Sequence, residues 1–263
     1  MDMEEDYRYF KAAILERTGI DLSLYKERQM KRRLESLYKR HRFRSFRAFF
    51  HEGVLNDPAL LQAFLDKMTI NVSEFYRNKK RWDFFEEVIL AELLQKREKL
   101  KFWSAACSSG EEAYTAAIIT DKHLDLANVS IVATDIDTKA LKKADAGFYK
   151  EVAVRDMPNE EKQRVFVQEA NGYRIKPMFK EAVRFQRCNL LTDLYPRGND
   201  LIICRNTLIY FTGKAKEGIL HGFNRALKNG GFLFVGNTEQ IFSPETYGFE
   251  QAGDFFYRKR NAL

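Results

Sequence analysis

The sequence of 263 residues has few of the side chains that build disulfide frameworks and metal sites. It contains three cysteines (Cys107, Cys188 and Cys204) and four histidines, all widely spaced. An odd number of scattered cysteines excludes a disulfide-stapled secreted domain and fits a reducing compartment. Because the histidines form no H-E-x-x-H pair, we expect no metal site.

Long apolar runs are also missing. The best apolar stretch, LIICRNTLIYF, carries Arg205 in its middle, whereas a membrane span needs roughly 18 or more uncharged apolar residues. The first ten residues, MDMEEDYRYF, are acidic and lack the apolar segment of a signal peptide. We therefore expect a cytoplasmic protein that does not insert into a membrane.

The net charge of +7 is concentrated in one part of the sequence. Residues 26–47, called the basic segment below, contain ten Lys or Arg against Glu27 and Glu35, so this segment carries +8 and the rest of the chain −1. Most such charge runs are solvated helix faces. The concentration of charge nevertheless favours an acidic partner surface, which is either a nucleic acid or an acidic protein.

The first hundred residues have the periodicity of helices. Apolar residues spaced as Met30, Leu34 and Leu37 make the basic segment amphipathic. Gly19 is expected to end a first helix, and Asp57 followed by Pro58 to begin another. The stretch TINVSEFYRN (69–78) interrupts this pattern. These features predict a helical domain over residues 1–78.

From Lys101 onward, short apolar runs alternate with helical stretches, which indicates parallel strands and crossover helices. Runs such as LIIC, apolar at consecutive positions, suit strands that are buried on both faces. YRIKPMF and AVRFQR alternate instead and predict an antiparallel β insertion at about 172–188. We expect an α/β domain over residues 79–263.

The first strand of this domain leads into a loop with one glycine and two carboxylates, CSSGEE (107–112). Ligands of open α/β sheets bind at the carboxyl ends of the strands. A dinucleotide loop has three glycines and favours phosphate, whereas Glu111 and Glu112 disfavour it. Asp135, which ends the next strand, has the position of a ribose-binding acid. Together these residues indicate an adenosyl ligand with positive charge, and S-adenosylmethionine fits.

Two further stretches place polar residues among apolar neighbours. Arg205 and Asn206 end an apolar strand, and Tyr210 follows four residues later. Asn206 is equally well explained as a turn residue and Tyr210 as a core aromatic. In TINVSEFYRN, the polar residues belong either to a helix N-cap region or to a segment that reaches over the cofactor.

Six motifs in the same order resemble the CheR-type chemotaxis receptor methyltransferases over nearly the whole chain. They are TINVSEFYRN, WSAACSSGEEAY, ATDID, CNLL, DLIICRNTLIYF and GGFLFVGNTEQIF. The resemblance implies a Rossmann-like S-adenosylmethionine-dependent methyltransferase sheet with a small antiparallel β insertion and an all-α N-terminal domain. It also implies methyl transfer to glutamate side chains on the cytoplasmic helical domain of chemoreceptors, with S-adenosylhomocysteine as the product.

The resemblance also implies site residues, carried over one position at a time. The cofactor-binding residues would be Asn71, Ser73, Arg77, Glu112, Asp135, Asn189, Leu190, Arg205 and Asn206. Arg77 and Tyr210 would orient the reactants. Ser73 and Ala113 stand where threonine and proline are common in the family, and neither difference removes a functional group. The basic segment would dock on the glutamate-rich receptor.

Two other functions remain open from the sequence. A nucleic-acid methyltransferase would use the same cofactor fold and the basic segment for phosphates. The chain lacks the Asp/Asn-Pro-Pro-aromatic turn of many such enzymes and any aromatic-and-basic RNA-binding module, so we expect no nucleic-acid partner. A non-catalytic sensor of an adenosyl ligand is the second alternative.

Overall fold

The computed structural model describes residues 2–69 and 73–261, and the chain divides into two compact units. The first unit consists of residues 1–71 together with 210–216, and the second of residues 72–209 and 217–263. The first unit is thus built from two separate stretches of sequence. The second of these stretches lies far outside the helical domain of residues 1–78 that the sequence predicts.

The helices of the first unit begin and end at recognisable signals. They are α1 (Met3–Thr18), α2 (Glu27–Arg40), α3 (Phe46–Ala48, continued by a π-helical turn at Phe49–Val54) and α4 (Pro58–Met68), with a 3₁₀ turn at Leu22–Leu24. Gly19 ends α1 with a φ of 72°, as predicted. The Asp57 carboxylate accepts a hydrogen bond from the Ala59 N–H at 2.8 Å, which confirms the predicted start of α4.

The core of the first unit is an aromatic cluster around Phe10. The ring of Phe10 lies 5.3 Å from that of Phe46 and 5.9 Å from that of Phe64, measured between centroids. Asp6 is buried beside this cluster, where its carboxylate accepts hydrogen bonds from the backbone N–H groups of Phe46 and Arg47 at 2.7 and 3.0 Å. These bonds satisfy N–H groups at the start of α3 that have no partner within the helix.

A short antiparallel bridge joins the two stretches of the first unit. The Lys26 N–H donates to the Tyr210 carbonyl at 2.8 Å, and the Thr212 N–H donates to the Leu24 carbonyl at 2.9 Å. The buried rings of Tyr25 and Phe211 pack beside these bonds with centroids 5.0 Å apart. Residues 210–212 are therefore held by both main-chain and side-chain contacts.

The second unit alternates helices and strands. Its helices are α5 (Lys79–Phe84, continued by a π-helical turn at Phe85–Leu90), α6 (Ala91–Lys96), α7 (Glu111–Thr120), α8 (Thr138–Ala146), α9 (Glu151–Val154), α10 (Asn159–Val165) and α11 (Pro177–Glu181), and α12 (Gly213–Ala226) enters it from the first unit. No helix among the described residues is long and apolar enough to cross a membrane.

The main sheet has seven strands and a mixed topology. Its strands are β1 (Leu100–Ala105), β2 (Val129–Asp135), β6 (Val183–Arg187), β7 (Asn199–Cys204), β8 (Leu227–Val235), β9 (Phe249–Gly253) and β10 (Phe256–Lys259). They are ordered β6-β2-β1-β7-β8-β10-β9. The first five run parallel, and β10 is antiparallel to both neighbours. Every residue of β7 is buried, as the LIIC run predicts.

The small antiparallel sheet is present, but its strands differ from those predicted. It consists of β3 (Phe148–Tyr149), β4 (Phe166–Glu169) and β5 (Gly172–Ile175). The prediction that AVRFQR belongs to this insertion is wrong, because β6 pairs in parallel with β2 in the main sheet. This strand forms the edge of the sheet and is largely solvated, so its alternating sequence resembles that of an antiparallel strand.

Candidate cofactor site

The loop between β1 and α7 follows an unusual backbone path. Ala106, Ser108 and Gly110 all have positive φ angles, of 57°, 51° and 92°. Positive φ angles are unfavourable for residues other than glycine, and such residues adopt them only where surrounding contacts hold the backbone in place. A Cβ atom on Gly110 would lie 2.9 Å from the Cβ of Ala144 and 3.0 Å from the ring of Phe185. Gly110 is thus required both by its φ angle and by close packing.

Asp135, at the end of β2, fixes this loop. One oxygen of its carboxylate accepts a hydrogen bond from the Ser108 N–H at 2.8 Å, and the other accepts one from the Asp137 N–H at 2.9 Å. Asp135 is 6% exposed, and burial raises its pKa to about 6. Each carboxylate oxygen keeps further acceptor capacity, so the end of β2 offers acceptor atoms for ligand hydroxyls.

Two buried carboxylates begin helix α7. The Glu111 carboxylate accepts hydrogen bonds from the Ser109 hydroxyl, at 2.8 and 2.9 Å, and from the side chain of Ser73. Burial raises the pKa of Glu111 to about 7, and these hydrogen bonds oppose the shift. Carboxylates at a helix N-terminus are favourable in their own right. Both carboxylates are buried, so a cationic ligand beside them would stabilise their ionised forms.

Glu112 pairs with Arg205 across the strand ends. A guanidinium N–H of Arg205 donates to the Glu112 carboxylate at 2.7 Å, and another donates to the Arg77 carbonyl and the Asn78 side-chain oxygen, both at 2.9 Å. The Arg205 side chain is fully buried. Its guanidinium lies 4.8 Å from the ring centroid of Phe234. Arg205 therefore connects residues 77–78 to α7 and β7.

Asn206 follows Arg205 in a left-handed conformation, with a φ of 59°. Its side-chain oxygen is buried and has no hydrogen-bond partner among the described residues, and the same is true of the Arg205 Nε. Buried polar atoms are normally paired. These two atoms, one an acceptor and the other a donor, are available to a polar ligand at the carboxyl end of β7.

Sequence reasoning missed Glu239, which organises the same loop. Its buried carboxylate accepts hydrogen bonds from the N–H groups of Asn206 at 2.6 Å, Gly236 at 2.8 Å and Ile209 at 3.2 Å. A Cβ atom on Gly236 would lie 2.6 Å from this carboxylate. The available signal was a glycine followed by a glutamate three positions later, directly after the apolar strand β8.

The loop after β6 contains two more of the predicted residues, Asn189 and Leu190, both buried. The Asn189 side-chain oxygen accepts a hydrogen bond from the Leu191 N–H at 3.0 Å. The Leu190 carbonyl accepts one from the Tyr195 hydroxyl. The Cys188 N–H donates to the Asp135 carbonyl at 3.0 Å, so this loop is attached to the end of β2.

The predicted site residues are divided between the two units, and one of them lies outside the described residues. Ser73, Arg77, Glu112, Asp135, Asn189, Leu190, Arg205 and Asn206 belong to the second unit. Asn71 lies outside the described residues. Tyr210 belongs to the first unit, where the Arg33 guanidinium lies 4.8 Å from its ring centroid. Among the residues that the structure describes, no group of three His, Cys, Asp or Glu side chains is arranged to hold a metal ion.

The chemistry of the second unit fits S-adenosylmethionine. Glu111, Glu112, Asp135 and Glu239 are buried carboxylates, against one fully buried arginine. Because buried carboxylates outnumber this arginine, a pyrophosphate is disfavoured, whereas a ligand with a sulfonium and an ammonium group would stabilise the ionised carboxylates. The Asp135 carboxylate has remaining acceptor capacity, and the Arg205 Nε and the Asn206 side-chain oxygen have no hydrogen-bond partner among the described residues. These atoms are compatible with the hydroxyl and other polar groups of such a ligand.

Comparison with known proteins gives the family. Residues 71–254 match the CheR methyltransferase, SAM binding domain, and residues 5–69 match the CheR methyltransferase, all-alpha domain. A chemotaxis protein methyltransferase of Listeria monocytogenes is 42% identical over 259 residues, which cover 98% of each chain. That of Borreliella burgdorferi is 33% identical and covers 85% of this chain and 83% of its own. Chemotaxis protein methyltransferase 1 of Pseudomonas aeruginosa is 31% identical over 90% of each chain. The chain therefore belongs to the CheR family of S-adenosylmethionine-dependent methyltransferases.

Proposed function

We propose that this methyltransferase esterifies glutamate side chains on the cytoplasmic helical domain of chemoreceptors, with S-adenosylhomocysteine as the second product. The names of the relatives support a role in chemotaxis. The observation that carries the proposal is the cluster of buried carboxylates and Arg205 at the carboxyl ends of the parallel strands. The enzyme would act in the cytoplasm, where these receptor domains lie.

The proposed roles follow from the chemistry of each group. Asp135 binds the ribose hydroxyls, and Glu111 and Glu112 compensate the positive charge of the ligand. Burial raises the pKa of Glu112, and the positive charges of Arg205 and Arg77 oppose this shift, which supports the proposal that Arg77 belongs to the same cluster. The full proposed set is Asn71, Ser73, Arg77, Glu112, Asp135, Asn189, Leu190, Arg205 and Asn206.

The reaction needs no general base. S-adenosylmethionine supplies an electrophilic methyl group on a sulfonium. A receptor glutamate, with an unperturbed pKa of about 4.3, is already ionised at neutral pH. Its oxygen forms the new bond to the methyl carbon while the carbon–sulfur bond breaks and its electron pair returns to sulfur. The protein contributes alignment and removal of water, for which we propose Arg77 and Tyr210 as the orienting groups.

The basic segment is the proposed docking surface for the receptor. Arg28, Arg32 and Arg40 are exposed on α2, and none of them makes an ion pair with a described residue. Lys39, by contrast, is paired with Glu35 at 2.6 Å. Cations that keep their full charge attract a glutamate-rich helical partner and speed its encounter.

The test uses methyl-labelled S-adenosylmethionine with receptor-containing membranes in one reaction and bulk RNA in another. Carboxyl methyl esters release volatile methanol in mild alkali, whereas methylated bases do not. We expect volatile label only in the receptor reaction, and its loss with Arg77→Ala. Alkali-stable label on RNA would establish a nucleic-acid methyltransferase instead. Cofactor binding without label in either reaction would indicate a sensor.

A further inference from the structure

Tyr210 is held by contacts within the first unit. Its ring lies under the guanidinium of Arg33, 4.8 Å from the ring centroid. Its carbonyl accepts the Lys26 N–H at 2.8 Å, and two residues later the Thr212 N–H donates to the Leu24 carbonyl at 2.9 Å. The main chain of Tyr210 is therefore fixed by the bridge, whereas its ring is held by a side chain of α2.

Arg33 and its neighbour Arg32 have different surroundings on the same helix. Arg32 is exposed, and Arg33 is half-buried over the half-buried ring of Tyr210. A planar guanidinium over an aromatic face is a cation–π contact, and arginine makes it better than lysine because it also stacks. Two consecutive arginines of the basic segment thus have separate environments: one faces solvent and the other faces a tyrosine.

We propose that Arg33 is a positioning residue that fixes the ring of Tyr210 for methyl transfer. This inference rests on the proposed orienting role of Tyr210. Its consequence is that α2 has two functions in the reaction: its exposed cations attract the receptor, and Arg33 sets the tyrosine rotamer. Loss of Arg33 should therefore lower kcat, whereas loss of Arg32 should raise KM for the receptor.

The experiment compares Arg33→Leu with Arg32→Leu, which removes the same charge one position away. For each variant, kcat and KM for receptor, the Kd for S-adenosylmethionine and the thermal midpoint are measured on the full chain. We expect Arg33→Leu to lower kcat about threefold to tenfold, without a change in cofactor Kd. Arg33→Lys keeps the charge but loses the stacking, and we expect an intermediate kcat.

A double-mutant cycle shows whether the effect passes through the ring. In a Tyr210→Phe background, which keeps the aromatic face, Arg33→Leu should lower kcat by the same factor as in the wild type. In a Tyr210→Leu background, which has no ring, it should have no further effect. These results would support the assignment, because a merely structural role of Arg33 would not depend on the ring.

Three results would overturn the inference. In the first, Arg33→Leu changes only KM, as Arg32→Leu does, which would make Arg33 another docking cation. In the second, the kcat losses of Arg33→Leu and Tyr210→Leu multiply independently. Both leave the proposed function intact. In the third, neither Tyr210→Phe nor Tyr210→Leu changes kcat, which would remove the proposed role of Tyr210 and the inference together.

Discussion

Both units carry ionisable side chains, but these differ in solvation. Most of the arginines of α2 in the first unit are exposed, whereas the ionisable groups at the strand ends of the second unit are buried. Arg32 and Arg40 are hydrated, whereas Arg205 and Glu112 are desolvated and form an ion pair with each other. Exposed charges interact weakly, over a distance, and are screened by salt. Buried charges interact strongly and only at fixed geometry. The first kind suits recognition of a partner, and the second suits a binding site.

The sharpest test of this contrast is Arg205→Met. It leaves Glu112 buried without its partner, and we expect the free energy of unfolding to fall by about 3–5 kcal/mol in urea titrations. The double variant Arg205→Met/Glu112→Gln should recover much of this loss. Lys79→Met, which removes the exposed pair with Asp83, is the control and should cost less than about 1 kcal/mol. Equal losses for both single variants would contradict the contrast.

A second test uses the titration of Glu111. Its pKa is raised by burial from 4.5 to about 7, so the native state holds this proton more tightly than the unfolded state. The contribution of Glu111 to stability is therefore fully present below about pH 4.5 and is lost as the pH rises through about 7. For the ligand-free protein, we compare the free energy of unfolding of Glu111→Gln with that of the wild type. This difference should be about 2 kcal/mol more favourable to the variant at pH 8 than at pH 5.

The control for the pH experiment is Glu217→Gln, at an exposed position on α12. Urea titrations of the three proteins at both pH values measure the effect. If the stability difference between Glu111→Gln and the wild type is the same at pH 5 and pH 8, burial of the charged carboxylate is not its cause.

Asp135→Ala tests the binding function of the buried groups. Because the variant loses charge-assisted hydrogen bonds, we expect the Kd for S-adenosylmethionine to rise about 30-fold, which corresponds to about 2 kcal/mol. Isothermal calorimetry provides the measurement. Asp125→Ala is the matched control, since Asp125 is exposed just before the other end of β2, and its variant should bind normally. An unchanged Kd for Asp135→Ala would remove this residue from the cofactor site.

The smallest effect is expected for the exposed cations. Arg32→Glu/Arg40→Glu should raise KM for receptor about fivefold at low salt, and the difference should shrink near 0.5 M salt because exposed charges are screened. Lys142→Glu/Lys143→Glu makes the same change of charge at exposed positions on α8 and serves as the control. If both pairs raise KM equally, net charge and not the basic segment governs the encounter.

The sequence was sufficient to predict the architecture and the position of residues that end a strand or follow directly after it. Asp135 and Arg205 lie at the carboxyl ends of apolar strands, a position that hydrophobic patterning reveals. The assignment of Val183–Arg187 was wrong because solvation of an edge strand produces the alternation of an antiparallel one. Glu239 was missed because a single glutamate after a strand gives no sign that three backbone N–H groups converge on it. The contact of Arg33 with Tyr210 joins distant stretches of sequence, which local patterns do not report.

The bridge between residues 24–26 and 210–212 has a consequence for synthesis of the chain. The helices of the first unit leave the ribosome early, but the segment 210–216 that completes this unit is made only after most of the second unit. At about 5–20 residues per second, the wait is on the order of ten seconds. During that time the backbone groups of Leu24 and Lys26 cannot form their hydrogen bonds with Thr212 and Tyr210. A nascent chain stalled before residue 210 should therefore be more open to proteases near Tyr25 than one released after residue 216.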